Sequence, residues 1–197
     1  MRILVATTNL GKIKEFQDIF PSKIKILSLQ DLNIDIDVVE YGETFRENAL
    51  IKAKQYYSIS KIPTISEDSG LVIDYLKGEP GIFSARYGGK NLSDDQRVDL
   101  VLRNMNGVES IQRSARFISV ICGIGFFKEP LFSKGVMEGF ISDTKNGING
   151  FGYDPIFIPL GKNETTASMS KDEKNVISHR RKSIDKFLKM LNTDNII

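Results

Sequence analysis

The sequence has only one cysteine and one histidine in 197 residues. A single cysteine excludes an internal disulfide, and the two residues together are too few for the Cys and His ligand sets of a zinc site. Cys122 lies in the apolar run FISVICGIGFF, so we expect it to be a buried core residue rather than a nucleophile. Any metal bound by this chain is therefore expected to be a hard cation held by carboxylate oxygens.

Long apolar runs are also lacking. No stretch approaches the ~20 apolar residues of a membrane span, and the run at residues 3–6 is too short for the core of a signal peptide. We therefore expect no membrane partner and a cytoplasmic location.

An excess of charge of one sign is absent as well, because 27 Lys and Arg residues face 25 Asp and Glu residues, for a net charge of +2. This balance gives no strong field for nucleic acid, so we expect no nucleic-acid partner. The content of 41% hydrophobic and 26% charged residues is typical of a globular protein. The length favours a single domain over residues 1–197, which we expect to be two-lobed.

The first predicted strand leads into a polar loop. Residues 2–7, RILVAT, are typical of a buried strand, and apolar residues recur at helical spacing over residues 13–20. The loop between them, TTNLGK, would present free N–H groups at a helix N-terminus together with hydroxyl, amide and ammonium donors, which suits a polyphosphate. It does not match the Walker pattern. The open alternative is that Asn9 or Thr8 only caps the helix.

Three acidic residues indicate the chemistry. Residues 62–65 and 71–76 are predicted to be two strands, which places Glu67 and Asp68 in the turn between them. One carboxylate could bind Mg²⁺ and the other could take a proton from water. The third acid, Glu40, precedes a helix predicted over residues 44–58. The ordinary alternatives are that Asp-Ser-Gly is only a turn sequence and that Glu40 is a solvated loop acid.

In the second half of the chain, a helix is predicted over residues 93–103 and two strands over residues 114–127 and 131–141. A last helix is predicted to begin near residue 170, and the final residues, TDNII, are expected to fray.

A glycine-containing loop, GINGFGYDP, occupies residues 147–155. An aromatic side chain in such a loop can stack on a nucleobase, or it can fill a hydrophobic hole. A basic run that contains His179 and Arg180 follows near the last helix, and a solvated face is the ordinary alternative for such a run.

Four segments in this order, TTNLGK, GETFRENALIKA, SEDSGLVIDYLKGEPGIFSARY and FGYDPIF with a later SHR, resemble the inosine triphosphate pyrophosphatase family over nearly the whole chain. The resemblance implies an α/β fold with an elongated central mixed sheet flanked by helices, two lobes with the active-site cleft between them, and a homodimer. It also implies hydrolysis of the deaminated purine nucleoside triphosphates ITP, dITP and XTP to the monophosphate and pyrophosphate. Such an activity cleanses the nucleotide pool and uses Mg²⁺ as its cofactor.

The resemblance also implies residue roles. Asp68 would be the catalytic proton acceptor, and Asp68, Glu40 and Glu67 would form the metal site. Residues 151–154 would form the base pocket, and we expect Arg180 to donate hydrogen bonds to the 6-keto oxygen of the base. The full set of implied substrate-binding residues is Thr7, Thr8, Asn9, Leu10, Gly11, Lys12, Lys52, Ser69, Phe151, Gly152, Tyr153, Asp154, Lys174, His179 and Arg180.

Two other functions stay open at this point. The chain could be a pyrophosphatase of other modified nucleotides, such as pyrimidine triphosphates, or a non-catalytic nucleotide-binding or RNA-binding protein. The three acids argue against the second function, because acids near a phosphate site repel nucleic acid unless a metal intervenes. The sequence disfavours a Ser-His-Asp hydrolase, since Ser69 does not lie in a GxSxG motif.

Overall fold

The structure, a computed structural model, describes residues 1–193, so residues 194–197 of the segment expected to fray lie outside the described residues. The helices are α1 (Leu10–Ile19), α2 (Phe45–Ser60), α3 (Asp94–Asn104), α4 (Lys171–Ile177) and α5 (His179–Thr193). The strands are β1 (Arg2–Val5), β2 (Lys25–Leu27), β3 (Thr64–Ile73), β4 (Ser114–Ile124), β5 (Leu131–Ile141) and β6 (Phe157–Pro159). Short 3₁₀ turns occur at Gln30–Leu32, Gly81–Arg86, Ser110–Gln112 and Asp154–Ile156.

The six strands form one mixed sheet in the order β2-β1-β3-β4-β5-β6. Strand β1 pairs in parallel with both β2 and β3, so that Leu4 lies opposite Leu27 and Thr64. Strands β5 and β6 are antiparallel, with Phe140 opposite Ile158. The predicted α/β fold with a mixed sheet flanked by helices is confirmed.

The chain divides into two compact units. Unit 1 contains residues 1–68 and 119–135 and the chain from Arg180 onward, and unit 2 contains residues 69–118 and 136–179. Strands β3, β4 and β5 therefore each contribute residues to both units.

In unit 1, the alternation of side chains along β1 decides which helix covers which face of the sheet. Ile3 is buried in a cluster with Phe16 of α1 and Phe187 of α5. Leu4, the next residue, is buried in a different cluster with Tyr56 of α2. Because successive strand residues point to opposite faces, α1 and α5 cover one face and α2 covers the other.

In unit 2, helix α3 supplies one side of a single core. Val98 and Val101 pack in a buried cluster with Leu71 of β3, Phe117 of β4 and Phe157 of β6. The predicted N-cap of this helix is confirmed, because the Ser93 side chain accepts a hydrogen bond from the Gln96 N–H at 3.2 Å.

The turn predicted around Glu67 and Asp68 is wrong, because β3 continues without a break from Thr64 to Ile73. Polar residues can continue through a buried strand when each has a partner. Ser66 Oγ donates to the Ala49 carbonyl at 2.5 Å, and both acids are ion-paired, as described below.

Two helix boundaries also differ from the prediction. Helix α1 begins at Leu10, so the last half of TTNLGK is the first turn of the helix rather than loop. The last helix is divided into α4 and α5 because Ser178 between them has extended backbone, with φ −63° and ψ 146°. No helix within residues 1–193 is both long enough and apolar enough to cross a membrane.

Cys122 provides a test of the core. It is fully buried against Ala49 and Ala53 of α2, and burial raises the pKa of its thiol to about 12. Because the thiolate is the reactive form, we expect Ellman's reagent at about pH 8 to leave the folded protein unmodified and to titrate one thiol in guanidinium chloride. Rapid modification of Cys122 in the native protein would contradict its burial in β4.

Candidate active site

The TTNLGK segment of unit 1 forms a capped helix start. Asn9 Oδ1 accepts a hydrogen bond from the Lys12 N–H at 3.1 Å, and Thr7 Oγ1 accepts one from the Asn9 N–H at 3.2 Å. The capping interpretation is therefore correct for Asn9. It does not exclude anion binding, because the N–H groups of the first helical turn, here those of Leu10 and Gly11, have no partner within the helix.

Glu67 lies at the centre of a buried ionic cluster in unit 1. Arg180 Nε donates to its two carboxylate oxygens at 2.8 and 3.0 Å, Lys12 Nζ lies 3.2 Å from Oε2, and Ser119 Oγ donates at 2.7 Å. Arg180 also pairs through Nη1 with Glu15 of α1. Burial raises the pKa of Glu67, but the positive charges of Arg180 and Lys12 outweigh it and hold that pKa well below its usual range. Glu67 is therefore ionised, and its carboxylate oxygens are occupied by contacts with Arg180 and Lys12.

Asp68, the next residue, points to the other face of β3, where α2 lies. Lys52 Nζ of α2 is 3.4 Å from Asp68 Oδ1 and 2.6 Å from Glu40 Oε1. Burial is the main cause that raises the pKa of Asp68, Lys52 lowers it, and the nearby Glu40 charge raises it further. Two adjacent acids thus have pKa values shifted in opposite directions, because Glu67 has two cations beside it whereas Asp68 shares one with a second acid.

The second oxygen of Asp68 has a different environment. Among residues 1–193, Asp68 Oδ2 is buried and accepts no hydrogen bond of good geometry, and Nδ2 of the fully buried Asn48 donates none. Hydrogen bonding by the nearby Asn48 side chain is the last of the causes that lower the Asp68 pKa, although among the described residues Nδ2 and Oδ2 have no partner of normal hydrogen-bond geometry. Asn48 Oδ1 is fixed by the Gly42 N–H at 2.9 Å. A buried acceptor and a buried donor without partners indicate a position where a polar group of a ligand could bind.

The acids of unit 1 differ in how well they fit a metal ion. No three His, Cys, Asp or Glu side chains within the described part of the chain are grouped so that they could hold a metal ion by themselves. Mg²⁺ needs no such group, since it usually takes one or two carboxylates together with water and substrate phosphates. Glu40 and Asp68 already share a cation, Lys52, and Asp68 keeps a buried Oδ2 without a partner. This pair fits Mg²⁺, whereas Glu67 fits poorly because Arg180 bonds both of its oxygens.

In unit 2, Asp154 organises the glycine-containing loop. Its Oδ2 accepts a hydrogen bond from the Phe151 N–H at 2.9 Å and pairs with Lys174 Nζ at 2.5 Å. Lys174 Nζ lies 5.1 Å from the centre of the Phe151 ring. Gly150 has φ +79°, and a Cβ there would overlap Asp154 Oδ2, so the close approach of the loop requires glycine. The loop thus places an ammonium group near a half-buried aromatic ring.

The other aromatic residues of the predicted site have structural contacts. Tyr153 belongs to the buried core of unit 2, and its hydroxyl donates to the Ser84 carbonyl at 2.9 Å. The hole-filling interpretation is therefore correct for Tyr153. His179 is buried, with its ring stacked on Phe117 at a centroid distance of 4.9 Å.

The remaining predicted residues lie in β3, in the glycine-containing loop and beside a cavity. Ser69 lies in β3 and is partly exposed, and Gly152 has φ +60° in the glycine-containing loop. Thr7 and Thr8 line a cavity of 430 Å³ together with residues near the first 3₁₀ turn.

The structure groups the predicted site residues into two sets. Within unit 1, the set consists of two ion-paired groups, Lys12 and Arg180 with Glu67, and Lys52 with Glu40 and Asp68. Within unit 2, Phe151, Asp154 and Lys174 meet. Arg180, which we expected to contact the base, uses its Nε and Nη1 donors on Glu67 and Glu15.

Sequence reasoning did not identify Glu15, Asn48 or Ser119. Glu15 lies three residues after Lys12 on α1, and Asn48 lies four residues before Lys52 on α2, so helical spacing could have identified both. No sequence signal marks Ser119, because its bond to Glu67 joins residues 52 apart.

Comparisons with known proteins identify the family of this chain. The model of the Ham1 family matches residues 3–190. The chain is 45% identical over 194 residues to a protein of Oceanobacillus iheyensis named dITP/XTP pyrophosphatase, covering 98% of both chains. It is 40% identical over 189 residues to a Bacillus subtilis protein of the same name, covering 95% of this chain and 96% of the relative. The solved structure of the Ham1 protein of Staphylococcus aureus superposes with a TM-score of 0.90 at 39% identity, covering 99% of this chain and 100% of the other.

Replacement of Glu67 by Gln tests the ionic cluster. The amide would leave buried Arg180 and Lys12 without their counter-charge, so we expect the free energy of unfolding at pH 7 to fall by about 3–5 kcal/mol. Glu164→Gln, at an exposed position, is the control and should change stability by less than about 0.5 kcal/mol. Urea denaturation measures both.

The contribution of Glu67 to the free energy of unfolding should decrease as the pH falls. The pKa of Glu67 is lower in the folded than in the unfolded state, where it is about 4.3, so its contribution is complete above that pH and is lost as the pH falls towards the folded value. The stability difference between the wild type and Glu67→Gln should therefore shrink below about pH 4.3. A difference that stays constant down to about pH 3 would show that the charge of Glu67 does not stabilise the fold.

Proposed function

Since the chain belongs to the Ham1 family, we propose that it hydrolyses the deaminated purine nucleoside triphosphates dITP, ITP and XTP to the monophosphate and pyrophosphate. The family assignment confirms the resemblance detected in the sequence, and the curated relatives carry the name dITP/XTP pyrophosphatase. The observation that carries the proposal for this chain is the buried Asp68, whose Oδ2 lacks a partner within residues 1–193 while Lys52 joins its Oδ1 to Glu40.

The triphosphate is proposed to bind to unit 1. A nucleoside triphosphate brings about four negative charges, and Lys12 and Lys52 supply positive charge together with the first-turn N–H groups of α1. Burial lowers the Lys12 pKa, Glu67 raises it, and the nearby Arg180 and Lys52 charges lower it further. An anionic partner such as a phosphate would therefore stabilise the charged form of Lys12.

The hydrolytic step is assigned to Asp68. The oxygen of a water molecule attacks the α-phosphorus, its proton passes to the Asp68 carboxylate, and the bond from the α-phosphorus to the bridging oxygen breaks, releasing pyrophosphate. A raised pKa suits Asp68 to this proton transfer, because a general base is most effective when its pKa approaches the working pH. Glu40 and Asp68 would hold Mg²⁺, which, when bound, would offset phosphate charge and polarise a phosphoryl oxygen.

The base is proposed to bind to the Phe151 loop of unit 2. The partly exposed Phe151 ring offers a stacking surface, and Lys174 offers a donor held 5.1 Å from the centre of that ring. An ammonium group only donates hydrogen bonds, so it matches the 6-keto oxygen of hypoxanthine or xanthine and opposes the 6-amino group of adenine. This assignment gives Lys174 the selective role expected of Arg180.

A cytoplasmic location, a homodimer and the use of Mg²⁺ are parts of this proposal and stay predictions. The non-catalytic alternative is not favoured, because the curated relatives are named as enzymes.

A panel of triphosphates with Mg²⁺, assayed separately for pyrophosphate and orthophosphate, tests the function. We expect pyrophosphate and a monophosphate from dITP and XTP, and little turnover of dATP. Asp68→Asn should retain the fold and lose turnover by about 10²–10⁴-fold, because an amide is a poor base. Orthophosphate as the main product, or an active Asp68→Asn variant at saturating metal, would overturn the assigned step.

Lys174→Met tests base selection. The variant keeps the length of the side chain but loses the donor, so we expect kcat/KM for dITP to fall about 10–100-fold while the low value for dATP changes less. Lys162→Met, at an exposed position of unit 2, is the control and should leave both values unchanged. An equal loss for both substrates would assign Lys174 to a different task.

A further inference from the structure

Thr166 lies fully buried in unit 2, and the proposed mechanism gives it no role. Its Oγ1 donates to Asp154 Oδ1 at 2.8 Å and also lies 3.1 Å from the Asp154 carbonyl oxygen. We propose that Thr166 is a positioning residue of the base site, which holds the Asp154 carboxylate in the rotation that aims the Lys174 ammonium beside the Phe151 ring. This inference rests on the proposed function.

Without the Thr166 bond, only one oxygen of the Asp154 carboxylate would have side-chain or loop partners that limit its rotation, in the part of the chain that the structure describes. The last torsion of an aspartate side chain has a broad, roughly two-fold profile, so packing alone holds it weakly. Both functional contacts are on one oxygen, Oδ2, which accepts from the Phe151 N–H at 2.9 Å and from Lys174 Nζ at 2.5 Å. Thr166 fixes the other oxygen. Both carboxylate oxygens of Asp154 then have fixed hydrogen-bond partners, and this orientation sets the position of the Lys174 ammonium group.

Thr166 can act as a fixed anchor because its own backbone is held on both sides. Its N–H donates to the Phe157 carbonyl at 2.9 Å, and the N–H of the next residue, Ala167, donates to the Asp154 carbonyl at 3.2 Å. The Ala167 carbonyl in turn accepts from the N–H groups of Ile148 and Asn149 at 3.1 and 2.9 Å. The hydroxyl therefore projects from a segment that is bonded to both ends of the glycine-containing loop.

The neighbouring residue, Thr165, is a matched control within the same segment. It is 1% exposed, and its hydroxyl donates to the Asn146 carbonyl at 2.7 Å and contacts Ser168 Oγ at 3.1 Å. Loss of this hydroxyl removes a part-buried hydrogen bond to the residue that precedes the glycine-containing loop, but it leaves the Asp154 carboxylate with its partners Phe151, Thr166 and Lys174. A purely structural effect would be similar at the two positions.

The test compares Thr166→Val, which replaces the hydroxyl by a methyl group of similar size, with Thr166→Ser, which keeps the hydroxyl, and with Thr165→Val. KM and kcat are measured for dITP and dATP, and the melting temperature of each variant is recorded. We expect Thr166→Val to raise KM for dITP about tenfold, corresponding to one lost hydrogen bond to a charged group, with kcat changed less than about twofold. KM for dATP should stay unchanged, since adenine does not use the Lys174 donor.

The outcomes separate the inference from the function on which it rests. Thr166→Ser should restore the wild-type KM, and Thr165→Val should lower the melting temperature without raising KM. The inference fails if Thr166→Val and Thr165→Val change KM equally, if Thr166→Ser is as impaired as Thr166→Val, or if KM rises equally for dITP and dATP. Should Thr166→Val not fold, Thr166→Ala is judged by the same criteria. If the wild type itself does not convert dITP to pyrophosphate, the proposed function falls, and this inference falls with it.

Discussion

A carboxylate buried in a central strand must be neutralised, and much of unit 1 depends on how Glu67 meets this requirement. Its charge is balanced by Arg180, 113 residues away in sequence, and by Lys12 of α1, while Arg180 also bonds Glu15 of the same helix. Removal of one partner would leave an uncompensated charge in the core. The positions of β3, α1 and α5 are therefore linked through one ionic cluster as well as through the apolar contacts of Phe16 and Phe187.

The uninterrupted course of β3 also separates the environments of two neighbouring acids. Because side chains alternate along a strand, Glu67 faces the α1 and α5 side and Asp68 faces Asn48 and Lys52 of α2. Glu67 has its pKa lowered by cations, whereas Asp68 has its pKa raised by burial and by Glu40. A pair of titratable groups driven apart in this way is typical of a site in which one acid is structural and the other reactive.

Asp154 is the corresponding centre of unit 2. It accepts hydrogen bonds from the Phe151 backbone, the Thr166 hydroxyl and the Lys174 ammonium, and is itself 3% exposed. One side chain thus fixes both the aromatic ring and the cation proposed to recognise the base. On this proposal, selectivity for a keto oxygen would follow from a donor that is held in place, since a mobile lysine could turn away from an adenine amino group and would discriminate poorly.

The α/β class, the capped start of α3 and the residues that resemble the family motifs could be predicted from the sequence alone, because periodicity, caps and motifs are local properties. The prediction failed at Glu67 and Asp68, where local turn chemistry favoured a turn. The continuation of β3 through these residues depends on tertiary contacts, since the partners that make buried acids tolerable come from distant segments. The same reason explains Arg180 and Thr166: their tasks depend on Glu67 and Asp154, and sequence spacing carries no information about contacts between residues so far apart along the chain.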